Sequence, residues 1–170
     1  MARYRIVPER SRVWIDARST LHPIHSSTDG LEGFVDLEFG SDGSLDSGAD
    51  ASGKLSLAVD RLSSGKRMED RELQRSLDAR RFPTIEGELR GVDHQGEDRY
   101  RVLGDITVRG TSCSHEDEMT IRSLGASTIE LAGSSRFDIR DFGLEPPRVL
   151  MIKVFPEVNV RVQIAAERTE

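Results

Sequence analysis

Apolar and polar residues alternate along most of the chain with a period of two residues. The alternation is clear at residues 35–39, 54–60, 101–109, 119–122 and 158–164. A period of two predicts β-strands with one apolar face and one solvent-exposed face, which is typical of antiparallel sheets. Glycine-containing turns separate these segments, so the pattern predicts an all-β protein built as a sandwich or a barrel.

One segment, residues 68–80, departs from this pattern. It is rich in charged residues, and its apolar residues Leu73 and Leu77 lie four positions apart. That spacing puts both leucines on one face of a helix, and Pro83 follows as a helix-terminating residue. We expect a short helix that covers one end of a barrel rather than a helix that carries catalytic groups.

The C-terminal apolar face is long and contains a proline. Apolar residues occupy even-numbered positions from Leu150 through Ile164, and Pro156 interrupts them. Because proline has no N–H to donate to a sheet, Pro156 predicts an edge, a bend or a boundary between two strands.

Composition narrows the class of protein. The chain has 170 residues and a formal charge of −6, and 36% of its residues are hydrophobic. We expect one domain over residues 1–170, and the acidic balance argues against a nucleic-acid surface. No run approaches the roughly 18 apolar residues of a membrane span. Cys113 is the only cysteine, and no export signal is evident, so we expect a cytoplasmic protein.

The histidines are the candidate metal ligands. His22 and His25 form the only close pair, and a third ligand could come from His115 or Asp16. Such a set could hold a metal ion or haem. The alternative is a pair of loop histidines at a barrel mouth, one of them hydrogen-bonded to the backbone.

Motifs for covalent or phosphate chemistry are absent from the sequence. It has no nucleophile elbow, P-loop or dinucleotide-binding glycine motif. The stretch 115–118, His-Glu-Asp-Glu, lacks the second histidine of a zinc-protease motif, and we interpret it as an acidic turn. We therefore expect a binding protein without a cofactor rather than an enzyme.

Four sequence blocks resemble the YceI-like family of polyisoprenoid-binding, lipocalin-like barrels. Residues 68–85 carry charged residues, spaced leucines and a Phe-Pro-x-Ile strand start, and residues 100–111 resemble the family's Tyr-to-Gly-Thr hairpin. Residues 137–143 resemble its Asp-Phe-Gly turn, and His25 is followed by an apolar-x-Gly-x-apolar run at 31–35. The resemblance implies an eight-stranded antiparallel barrel with a short helix closing one end. It also implies an elongated pocket for an isoprenoid or quinone-type lipid, and a homodimer.

Three hypotheses follow for the barrel interior. In the first, it binds or carries a long-chain lipid, since burial stabilises apolar area by about 25 cal/mol per Å². The second is a metal- or haem-binding protein, or an enzyme on a small hydrophobic substrate, that uses the His22/His25 loop. The third is a structural or stress-response protein with a filled core.

Side-chain alternation and aromatic character select the candidate ligand-binding residues. They are Trp14, Val35, Leu37, Phe39, Leu57, Val59, Phe82, Val102, Ile106, Val108, Met119, Ile121, Phe137, Phe142, Ile152, Val154, Val160 and Val162.

Overall fold

A computed structural model describes residues 1–45, 51–146, 148–149 and 152–169. Within these ranges the chain forms eleven β-strands and one α-helix, joined by turns and single-turn 3₁₀ helices. The strands are β1 (Ala2–Ile6), β2 (Arg12–Ser19), β3 (Pro23–Thr28), β4 (Leu31–Leu37), β5 (Ser52–Ala58), β6 (Thr84–Gly96), β7 (Arg99–Val108), β8 (Thr111–Ser123), β9 (Thr128–Asp138), β10 (Arg148–Val149) and β11 (Ile152–Arg168), and the helix is α1 (Arg67–Ser76).

Eight strands close into an antiparallel barrel, as the sequence predicts. They follow the order β1-β4-β5-β6-β7-β8-β9-β11, and pairing between β1 and β11 closes the ring. Two further strands extend the sheet, because β2 also pairs with β11 and β3 forms a hairpin with β2. The predicted fold class, an all-β lipocalin-like barrel, is therefore confirmed.

Strand β11 is long enough to pair with both β1 and β2 along the same edge. It has 17 residues, and its C-terminal end pairs with β1, where Tyr4 lies opposite Arg168. The preceding part pairs with β2, where Val13 lies opposite Val162. A 3₁₀ turn that begins at Pro8 separates β1 from β2. The N-terminal segment therefore pairs with β11 as two separate strands.

Pro156 lies inside β11 rather than between two strands. The register of β11 against β2 shifts between Val154 and Val158, so the proline coincides with a bulge. This agrees with the predicted bend and excludes a boundary between strands at that position. Leu150, which the sequence places on the same apolar face, lies outside the described residues.

Helix α1 covers one end of the barrel and is shorter than predicted. It ends at Ser76 rather than near Arg80, and Asp78 has a positive φ of 50°, which does not continue a helix. Ahead of the helix, the Asp70 carboxylate accepts hydrogen bonds from the backbone and side chain of Ser64 at 2.8 and 2.7 Å. Leu77 is buried after the last turn and holds the helix against the barrel.

The buried apolar residues form two clusters. The cluster under α1 contains Val59, Leu77, Val108, Phe142 and Leu144. The larger cluster extends along the barrel and includes Tyr4, Leu37, Tyr100, Ile129 and Ala166.

An ion pair joins β1 to β4 on the outer surface. The guanidinium of Arg3 donates to both carboxylate oxygens of Asp36, at 2.9 and 3.0 Å, from the directly opposite position of the sheet. This hydrogen bonding, together with the positive charge, lowers the pKa of Asp36 from its ordinary value.

Gly104 of β7 makes a close backbone approach in the barrel wall. A Cβ at this position would lie 2.6 Å from the carbonyl oxygen of Glu88 in β6, so only glycine fits.

Across the described residues, no helix has the length and apolar character needed to cross a bilayer.

Candidate functional site

The interior of the barrel is hollow. A cavity of about 430 Å³ lies there, and aliphatic side chains from the barrel strands and α1 dominate its wall. Small-molecule pockets typically enclose roughly 300–1,000 Å³, so this cavity can admit a ligand. An open interior does not fit the hypothesis of a core filled by its own side chains.

Most of the candidate ligand-binding residues converge on the cavity wall. They share the inward-facing side of their strands or the turn beside α1. The residues are Val35, Leu57, Val102, Ile106, Val108, Met119, Ile121, Phe137, Phe142, Val154, Val160 and Val162. The structure brings these side chains together, and their contact with a ligand stays a prediction.

Some aromatic candidates lie away from the cavity. Trp14 points outwards between the inward-facing residues Val13 and Ile15, and the guanidinium of Arg161 stacks 4.3 Å from its ring. Phe82 lies outside the wall, where its ring would contact a Cβ added at Gly110. Aromatic character alone therefore does not identify the residues at the mouth.

The remaining candidates pack against other apolar side chains or lie at the end of a strand. Leu37 and Val59 are almost fully buried in the two apolar clusters. Phe39 packs edge-on against Tyr4, with ring centroids 6.1 Å apart. Ile152 is half-buried at the start of β11 and does not line the cavity.

Several wall residues are absent from the candidate list. Ile15, Leu55, Leu89 and Val92 line the cavity, and Leu73 reaches it from α1. The alternation of β2, β5 and β6 could have identified the strand residues. In β6, the register shift between Leu89 and Gly91 places Val92 inward, which simple parity does not predict.

The main polar feature of the wall comes from the middle of β8. The stretch 115–118, interpreted as an acidic turn, is instead regular strand, and His115 and Asp117 face inwards with Met119 and Ile121. The interpretation as a turn is therefore wrong. The alternation of residues 113–121 is the signal that could have revealed this face.

Asp117 is the centre of a three-residue polar cluster formed by His115, Asp117 and Ser135. The Ser135 hydroxyl donates to Oδ2 of Asp117, and Nε2 of His115 lies against the same oxygen. Nε2 is buried, and within the described chain it makes no hydrogen bond of good geometry. The His115 ring stacks on Phe137, with centroids 4.3 Å apart. About a quarter of the His115 and Asp117 side chains, 28% and 29%, stays accessible.

The helical end of the cavity is acidic. Glu69 and Glu72 of α1 contribute to the wall, and their side chains are only 13% and 16% exposed. Glu72 pairs with Arg75 at 2.7 Å, and Glu69 lies 3.8 Å from Lys66. Among the wall residues that the structure describes there is no lysine or arginine.

The histidines of the metal hypothesis do not come together. His25 lies in β3 rather than in a loop, and its Nδ1 contacts Asp16 at 2.6 Å across the β2–β3 hairpin. His22 donates from Nδ1 to the Pro23 carbonyl at 2.9 Å, and its Nε2 lies 3.9 Å from Glu69. His115 belongs to the cavity wall. Over the described ranges, no three His, Cys, Asp or Glu side chains form a group that could hold a metal ion.

Comparison with known proteins gives structural matches only. No protein-family profile and no curated protein sequence matches the chain. BcnA of Burkholderia cenocepacia matches with a TM-score of 0.77 and 16% identity, over 94% of this chain and 98% of BcnA. A polyisoprenoid-binding domain from Saccharophagus degradans, implicated in plant cell wall breakdown, matches with a TM-score of 0.76 and 12% identity, over 99% and 100% of the two chains.

A third match is the YceI protein of Campylobacter jejuni, with a TM-score of 0.66 and 11% identity over 85% of each chain. These similarities extend over most or all of the barrel described above. The structural neighbours of this chain are thus YceI-like barrels, as its sequence blocks predict, and it shares their fold.

Proposed function

We propose that the protein binds a long-chain lipid of the isoprenoid class inside its barrel. The observation that supports this most directly is the cavity of about 430 Å³, with a wall that is almost entirely aliphatic. Each CH₂ group transferred from water into such a wall is stabilised by about 0.8 kcal/mol. A hydrocarbon chain therefore gains far more from this site than a compact polar molecule does.

The distribution of packing supports an internal ligand. Buried residues of both apolar clusters, such as Val35 and Phe142, also line the cavity, so packed apolar side chains surround a space that they do not fill. Protein interiors normally pack at the density of organic crystals. An apolar space of this size is stabilised when an apolar guest fills it.

We infer that one opening of the cavity lies beside Phe155. This residue contributes to the cavity wall while 39% of it remains exposed. It is next to Val154, which pairs with Ser19 near the tip of the β2–β3 hairpin. We place the route for a lipid chain between this part of β11 and helix α1, whose Glu69 also lines the wall.

The isoprenoid class is the finer part of the proposal. It is supported by the shared fold with a domain described as polyisoprenoid-binding. A quinone-type head, a homodimer, a single-domain organisation and a cytoplasmic location are predictions from the sequence. Size measurement by light scattering, with and without lipid, tests the homodimer.

The proposal is tested by extraction and by direct binding. Organic extracts of the purified protein, analysed by mass spectrometry, should contain a long-chain lipid in a defined molar ratio. Delipidated protein should bind tritium-labelled geranylgeraniol in equilibrium dialysis, and more tightly than it binds geraniol, which has a shorter chain. An extract without lipid together with no binding of geranylgeraniol would refute the proposal.

A further inference from the structure

The polar cluster of His115, Asp117 and Ser135 is out of place in an otherwise apolar cavity. Burying polar groups without full compensation costs free energy. A barrel that bound only hydrocarbon would therefore be more stable with apolar residues at these positions. Instead, Asp117 receives the Ser135 hydroxyl and lies against Nε2 of His115, while both His115 and Asp117 stay accessible from the cavity. The cluster is therefore placed to contact whatever occupies the barrel.

The arrangement determines which hydrogen bonds the cluster can offer. A carboxylate beside Nε2 favours the proton on that nitrogen, as in other carboxylate–histidine pairs. In the neutral imidazole, Nδ1 is then left as an acceptor. Stacking on Phe137 fixes the plane of the ring. A ligand hydroxyl could donate to Nδ1, whereas a head group without a donor could not use this acceptor.

The depth of the cluster separates a head-group region from a chain region. Asp117 lies opposite Val102 in β7, near the middle of β8. Apolar wall residues continue on both sides, for example Ile106 towards α1 and Ile121 away from it. A polar head at this depth leaves the rest of the molecule in contact with hydrocarbon.

The charges of the wall exclude anionic heads. The ionisable residues of the described wall are His115 and the acidic residues Glu69, Glu72, Glu86, Glu88, Asp105 and Asp117, and no lysine or arginine lines it. A buried phosphate needs cationic or N–H partners, and beside carboxylates it meets like charge at low dielectric. The basic side chains Lys66 and Arg75 pair with the glutamates from outside the wall.

We propose that His115, Asp117 and Ser135 form a binding site for the uncharged hydroxyl head of an isoprenoid alcohol. The same site discriminates against phosphorylated isoprenoids. This inference rests on the proposed function, because it assumes that an isoprenoid chain occupies the cavity. It adds the chemical class of the head group and the residues that recognise it.

Three ligands with one chain and different heads test the inference. Tritium-labelled geranylgeraniol, its methyl ether and its diphosphate are compared by equilibrium dialysis with the delipidated wild-type protein. A neutral hydrogen bond predicts that the alcohol binds about tenfold more tightly than the ether, which lacks the donor. The carboxylates predict that the diphosphate binds at least about a hundredfold more weakly than the alcohol. Equal binding of alcohol and ether, or tight binding of the diphosphate, would overturn the inference.

Variants of the cluster test whether its side chains cause the difference in affinity between the three ligands. His115→Phe keeps the stacking on Phe137 but removes both ring nitrogens, so alcohol affinity should fall to that of the ether while ether affinity stays unchanged. Asp117→Asn removes the internal charge and should narrow the gap between alcohol and diphosphate. His25→Phe, an exposed histidine outside the cavity, is the matched control and should change neither affinity.

The outcomes separate the two proposals. If none of the three ligands binds, the proposed function fails and the head-group site fails with it. If all three bind equally, or if His115→Phe lowers alcohol and ether affinity together, the chain-binding function stands and only the head-group site is refuted. If His115→Phe does not fold, as judged by circular dichroism, His115→Leu gives the same comparison, because leucine also lacks an acceptor for the ligand hydroxyl.

Discussion

Filling the cavity from Gly87 is the sharpest perturbation of lipid binding that the barrel offers. Gly87 lies in β6 opposite Ile106 and faces the cavity. A Cβ at this position would meet the Cβ of Leu55 at 3.8 Å, which is ordinary van der Waals contact. The backbone therefore accepts a larger side chain, and the four carbons of a leucine would extend into the space assigned to the lipid.

The size of the effect follows from the displaced chain. A leucine at Gly87 excludes about four methylene groups of ligand, each stabilised by about 0.8 kcal/mol in the apolar wall. The loss of about 3 kcal/mol corresponds to an increase in Kd of about a hundredfold. Glycine in a strand interior is itself unfavourable, so Gly87→Leu should not lower the free energy of unfolding.

Equilibrium dialysis with tritium-labelled geranylgeraniol measures this effect, with urea unfolding as the test of the fold. Gly91→Leu is the matched control, because Gly91 lies in the same strand, has no atom within 4 Å of an added Cβ and is not part of the cavity wall. It should bind as the wild type does. A folded Gly87→Leu protein with a Kd within twofold of wild type would show that the lipid does not occupy the barrel interior.

The remaining predictions concern stability. Leu77→Ala should lower the free energy of unfolding by about 2–5 kcal/mol in urea, and a smaller loss would mean that this buried residue does not hold α1. Gly104→Ala should cost about 1–3 kcal/mol because its Cβ would strike the backbone of β6, whereas Gly91→Ala should be tolerated. Arg3 lowers the pKa of Asp36 from 3.8, so Asp36→Asn should lower the Tm at pH 7. That gap should close as the pH falls through the depressed pKa and should shrink in high salt; a gap that persists in acid contradicts the assignment.

Local patterns account for much of what the sequence predicts correctly. The alternation in β7 and in the later part of β11 identifies Val102, Ile106 and Val160 as inward-facing, because successive side chains of a strand point to opposite faces. Leu73 and Leu77 likewise identify the inner face of α1 and the turn that follows it. Resemblance of sequence blocks adds the number of strands, which alternation alone leaves open between a sandwich and a barrel.

Three features depended on the tertiary structure. Whether a buried apolar residue lines the cavity depends on its position in the closed barrel, so Leu37 and Val59 are buried without lining it. The bulge at Leu89–Gly91 shifts the inward set by one residue, and no local signal marks it. The polar cluster needed Ser135 of β9 to lie beside Asp117 of β8.

The physical reason is the range of the interactions involved. Alternation and helical spacing are properties of a few consecutive residues, and the amino-acid sequence displays them directly. Closure, depth and the meeting of Asp117 with Ser135 are set by strand register and by the packing of residues distant in the chain. The apolar composition of the wall could therefore be predicted from the sequence. The cavity that the wall surrounds depends on how the strands close into a barrel.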